Sequence, residues 1–134
     1  MKTFVVLAVT ILLVSILFCP MVMAAPSMPT DLQMVQPDPS LPKELSAFFG
    51  KWEGTSGPFQ YFVIVEKIDQ EKASLYIYAP GFETTVSSWQ RYEAQVIKEG
   101  GKYKLWYRGR QQGVVMTLKG EHLDFAGLRL TRVS

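Results

Sequence analysis

His122 is the only histidine in the chain, and Asp124 lies two residues on, in phase with it along the last apolar run. As a base and its orienter the two would still need a nucleophile. No serine stands in a Gly-x-Ser-x-Gly turn, although Ser56-Gly57 and Ser87-Ser88 place hydroxyls near turns. The bland reading of His122 is an exposed residue beside the Lys119-Gly120 turn. Glu53, Glu66, Asp69, Glu71, Glu83 and Glu93 supply carboxylates for acid–base work, which needs two at a defined separation with one pKa raised. Most sit beside Lys or Arg, so solvated surface charge is the expectation. One histidine and one cysteine leave transition metals short of ligands, and no acidic loop has calcium spacing. No catalytic residue, metal or cofactor is therefore expected.

The aromatic residues are richer in implication. Tyr61, Tyr76, Tyr78, Trp89, Tyr92, Tyr103, Trp106 and Tyr107 offer broad apolar faces with polar tips. Pointing inward in a hollow domain, they would line a pocket for a flat or hydrophobic molecule. The alternative is an ordinary core plus an aromatic outer surface. Trp106 shares a strand face with Lys104 and Arg108, a set suited to an anionic or aromatic ligand, or to a partner protein.

The candidate residues lie in the third of three segments that differ in composition. Lys2 followed by the apolar run from Phe4 to Phe18, then Val22-Met23-Ala24, has the form of a secretory signal cleaved after Ala24. The alternative is a retained membrane anchor, for which the run is short of roughly 20 residues. Cys19 follows Phe18 rather than the small residue that lipidation requires, so cleavage would leave a mature chain free of cysteine and disulfides. Residues 25–42 then hold five of the eight prolines (Pro26, Pro29, Pro37, Pro39 and Pro42) and read as an extended, largely solvated lead. The domain proper is expected over 43–134. Of the formal +2 charge, removal of Lys2 leaves 13 basic against 12 acidic side chains, no electrostatic footprint for nucleic acid or for an anionic membrane.

Within the domain, Leu41, Leu45, Phe48 and Phe49 fall on one side at helical spacing, with Pro42 at the start and Gly50 at the stop. Beyond that short helix the period becomes two. Seven strand-like runs are expected, over 50–57, 59–68, 73–80, 87–98, 102–109, 112–119 and 121–133. Turn residues such as Gly57-Pro58, Gly100-Gly101 and Lys119-Gly120 separate them. Short connections make neighbours antiparallel, and so many strands without an intervening helix imply an all-β meander of seven to eight strands closing into a small barrel. The last run changes phase at Gly127, the mark of a bulge or a barrel corner. The run from Phe59 to Ile68 is apolar on both faces, which implies cover on the outside, for example at a homodimer interface.

Gly50-Lys51-Trp52-Glu53-Gly54 after a short helix, Val65-Glu66-Lys67-Ile68-Asp69, an Ala73-to-Tyr78 strand and the terminal Leu130-Thr131-Arg132 together resemble small bacterial secreted lipocalin-like domains of the calycin group. The resemblance covers most of residues 43–132. It implies a structural signature of Gly50, Trp52, Gly54 and Arg132, with Trp52 across the closed end of the barrel and Arg132 stacked on its ring, Arg129 being the alternative. It further implies an exported, periplasmic or secreted, non-enzymatic protein that binds a small hydrophobic or aromatic molecule in or at the mouth of the barrel. A filled barrel serving protein–protein contact, and a secreted hydrolase or hydrolase accessory, are the other readings. Full-sized lipocalins have eight strands where seven runs are counted here, and they have longer loops, a C-terminal helix and usually a disulfide, none of which is expected in this chain.

Overall fold

The computed structural model describes residues 26–81 and 88–133, so the expected signal segment, Glu83 and Ser87 lie outside the described residues. Helix α1 (Lys43–Ser46) precedes eight strands: β1 (Gly50–Ser56), β2 (Phe59–Ile68), β3 (Lys72–Tyr78), β4 (Gln90–Glu99), β5 (Lys102–Arg108), β6 (Gly113–Lys119), β7 (His122–Phe125) and β8 (Leu128–Arg132). Each strand is antiparallel to the next, and β8 returns to β1 to close the barrel. No helix of the described residues is long and apolar enough to cross a membrane.

Alternation dictates what the barrel contains. Leu75 and Ile77 on β3, Ala94 on β4, Leu105 and Tyr107 on β5, Val114 and Met116 on β6, and Leu123 and Phe125 on β7 are buried in one contiguous apolar core. A strand side chain buried this fully contributes about 1.5–3 kcal/mol. The same core takes in Leu41, Leu45 and Phe48, so α1 lies against the barrel through the apolar side its spacing predicts.

The closing seam is short. The β1–β8 register pairs Trp52 with Arg132 and Glu53 with Thr131, extended by the Val133 N–H donating to the Lys51 carbonyl at 2.9 Å. Gly54 makes the close approach of the two strands sterically feasible: a Cβ there would stand 2.6 Å from Leu130 Cδ2 and 2.8 Å from the Arg129 carbonyl oxygen.

Two local readings of the sequence are corrected. The phase change at Gly127 is a tight turn that splits the expected last strand into β7 and β8. Ala126 and Gly127 take φ of 50° and 86°, the left-handed pair that a two-residue hairpin with right-handed strand twist requires. The Gly127 N–H donates to Asp124 Oδ1 at 3.0 Å and fixes the turn. The true bulge lies instead in β2, where the pairing with β3 slips between Val65 and Lys67. It keeps both Val65 and Ile68 inside and leaves Glu66 out of the ladder.

Candidate functional site

Three places in the barrel bring chemistry-bearing residues together: the helix end, the opposite mouth, and the outer face of β2, β3 and β4.

At the helix end, Trp52 is 1% exposed and its indole N–H donates to the Phe48 carbonyl at 3.0 Å. The Arg132 guanidinium lies 4.2 Å from the centre of the Trp52 ring, a cation–π contact of about 0.5–2 kcal/mol. Its Nη1 donates to the Phe49 carbonyl at 2.7 Å and its Nη2 to the Ala47 carbonyl at 2.6 Å. One side chain thereby caps the end of the α1 turn and covers the indole. Gly50 is required beside it, both for its φ of 122° and because a Cβ would meet Arg132 Nη1 at 2.8 Å. Of the two arginines the sequence offers, Arg132 makes this contact.

Next to this cork is a cleft of about 490 Å³ lined by Ala47, Trp52, Leu118, Glu121, His122 and Arg132 among others. His122 is half-buried rather than exposed, and its Nδ1 is shielded without a hydrogen-bond partner. Asp124 does not orient it. That carboxylate pairs with Lys119 at 3.2 Å and accepts from Gly127. Among the described residues no three of His, Cys, Asp or Glu group as metal ligands would.

At the mouth, Ser56, Tyr61, Phe125, Ala126 and Leu128 line a cleft of about 160 Å³. It is the space between the end of β1, the start of β2 and the β7–β8 turn. Phe125 belongs to the core, and Tyr61 and Leu128 pack against it, so the cleft is the outermost layer of the barrel interior. A cavity near 150 Å³ is enough to hold one benzene-sized ring.

The eight aromatic residues expected to line a ligand site do not converge. Tyr61, Tyr92, Tyr103 and Tyr107 face inward. Tyr92 and Tyr107 meet at a tilt with 4.6 Å between ring centres. Tyr76 and Tyr78 point outward from β3, and Trp106 outward from β5, where its indole lies over Gly113. Tyrosine suits either face of a strand, so the alternation assigns the two sides only once the aliphatic residues have fixed which is inner.

On the outer face, the lead is mostly exposed and, rather than extended throughout, turns at Thr30 and Asp31, yet it is tied to the sheet. The Glu66 carbonyl, freed by the bulge, accepts the Val35 N–H at 2.8 Å, and its carboxylate accepts the Gln33 N–H at 3.1 Å. Glu66 is 2% exposed, not the solvated charge expected of it, and is paired with Arg91. Arg91 lies 5.1 Å from the centre of the Tyr76 ring and 3.9 Å from Asp31. The Tyr76 hydroxyl faces Asp31 without well-aligned hydrogen-bond geometry. Its approach, aided by the Arg91 charge, holds the Asp31 carboxyl below its ordinary value, while Asp31 raises the Tyr76 phenol. The Glu66 contact pushes the Arg91 guanidinium higher still. Phe62, Tyr78 and Trp89 form a trio beside this cluster, with ring centres 5.6–6.1 Å apart, and Trp89 donates its indole N–H to the Ser27 carbonyl at 2.8 Å. Ile64 on the same face is only 2% exposed, so the two-faced β2 is partly covered by its own chain.

Sequence reasoning read Glu66 as a solvated charge and Trp89 as a pocket-lining ring, and passed over the contacts both make with the lead. The signal for Glu66 was present: alternation through Val63 and Val65 would bring Lys67 inside, yet the next apolar residue is Ile68, and such a slip marks a bulge. Compared with known proteins, the chain matches no family model, no curated protein and no solved structure.

Proposed function

We propose that this is an exported, lipocalin-like binding domain of the calycin type that takes the end of a small hydrophobic or aromatic molecule at the mouth of its barrel. The observation that carries the reading is the cleft between Tyr61, Phe125 and Leu128. It has apolar rings on two sides, one hydroxyl from Ser56 at its edge, and a volume on the scale of a single ring. The larger cleft at the helix end supports it less well, because two arms of the Arg132 guanidinium already serve the Ala47 and Phe49 carbonyls there. In this reading the packed interior limits the ligand to the outer layer rather than a deep calyx. Export by the 1–24 segment, with cleavage after Ala24, would place the binding domain in the periplasm or outside the cell.

The test is calorimetric titration of the purified protein with toluene, phenol and short alkyl alcohols. Saturable binding of the ring compounds, abolished by Leu128→Trp because the added indole fills the cleft, is the expected result. Binding that Leu128→Trp leaves intact, or none at all, would remove the mouth as the site.

A further inference from the structure

The lead is attached in an unusual manner for a segment that belongs to a core. Between Pro26 and Gln36 three of its large apolar side chains face water: Met28 is 44% exposed, Met34 38% and Val35 46%. What holds it is mainly backbone. The Ser27 carbonyl accepts from Trp89, and the Gln33 and Val35 N–H groups donate to Glu66. Two further contributions come from side-chain type. Pro26 and Pro29 are half-buried while Ser27 and Met28 between them are exposed. A spacing of three places two prolines on one edge of a polyproline II segment. Asp31, two residues beyond Pro29, meets the Arg91 guanidinium.

An aromatic shelf that donates an indole N–H to a backbone carbonyl, beside prolines at i and i+3, is the physical basis of proline-rich peptide recognition. Each proline fixes its own φ, so little conformational freedom is lost there on docking. Nothing in these contacts requires the segment to be covalently joined to the barrel. We propose that the outer shelf of Phe62, Tyr78 and Trp89, with Arg91 and Glu66 beside it, is a docking groove for a Pro-x-x-Pro-x-Asp segment of another protein, extended through its prolines and turning before its aspartate. Residues 26–35 of this chain are its resident occupant. The partner is chosen by the two prolines and by the acidic residue that answers Arg91; the rest of the contact is main chain. Because the resident segment is tethered, it competes at an effective concentration on the order of millimolar, and a partner binds by displacing it. The site is separate from the barrel mouth and stands or falls independently of it.

The experiment uses a fluorescent peptide of residues 26–36 and the purified protein, followed by anisotropy. Pro26→Ala/Pro29→Ala in the protein weakens the resident segment, and the peptide is expected to bind this variant roughly fivefold tighter than the unaltered chain, the effect of about one hydrogen bond's worth of competition. Trp89→Phe keeps a ring but removes the donor, and is expected to weaken peptide binding by a similar factor. Should Trp89→Phe not fold, substitutions in the peptide carry the test: alanine at both prolines abolishes binding, and Asp31→Asn weakens it and removes most of its salt dependence. No binding to the weakened variant, or binding indifferent to the peptide's prolines, overturns the proposal. So does a dimer on sizing that Pro26→Ala/Pro29→Ala dissolves, since that result assigns the groove to a second copy.

Discussion

The two ends of the barrel are built from the same sheet and finished in opposite ways. At the helix end the groups on the Trp52 ring are held by polar contacts: the indole N–H donates to the Phe48 carbonyl, and Arg132 lies on the ring while holding two carbonyls. At the mouth, Tyr61 and Leu128 pack against the core from one side only and leave a cleft between them. A closed sheet has no edges to protect, so its ends are where stability and access compete. Here stability is concentrated at one end, which leaves the other free to stay open.

Substitutions can break this contrast in order of expected size. Trp52→Ala should have the largest effect, about 3–5 kcal/mol lost in urea unfolding, because it empties the space of a fully buried indole. A loss below about 1 kcal/mol would mean that the cork does not seal the core. Gly54→Ala should cost about 1–3 kcal/mol, since the added methyl meets both Leu130 and the Arg129 backbone at the seam, and the backbone cannot yield without parting β1 from β8. Amide exchange at Glu53 and Thr131 should then quicken ahead of exchange in β3 and β4. Arg132→Met should cost about 1–2 kcal/mol, measured the same way, from the lost hydrogen bonds and cation–π contact at a position that water can partly reach. Leu128→Trp should change thermal stability by less than about 0.5 kcal/mol while eliminating the mouth cleft. A marked destabilisation by Leu128→Trp would show that the mouth is as tightly packed as the cork, and the contrast between the ends would disappear.

How much of this was legible in the sequence follows from how each contact is made. The strands β3 to β6 could be read because Leu75 and Ile77, Ala94 and Val96, Leu105 and Tyr107, and Val114 and Met116 recur at every second position, as the inner face of an antiparallel strand must. The Trp52–Arg132 pairing was legible through its resemblance to a known signature, and the register places the two residues opposite each other. The β7–β8 turn was obscured because one of its two left-handed positions is Ala126, a residue that rarely accepts that conformation, so only Gly127 signalled a change. The docking of the lead was hidden for a different reason. It is held by backbone groups and by Glu66, with little apolar patterning of its own, and main-chain contacts leave almost no mark on composition. Tyr76 and Tyr78 misled as pocket candidates because phenols suit an inner and an outer face alike.

The contrast between the ends is tested most directly by one titration that watches both. Two-dimensional amide NMR of the purified protein with increasing toluene should give saturable shifts at Ser56, Tyr61, Phe125, Ala126 and Leu128, while Trp52, His122 and Arg132 stay in place. Saturable shifts confined instead to Trp52, His122 and Arg132, or no saturable shift at either end, would contradict a barrel corked by its tryptophan and open for binding at the opposite mouth.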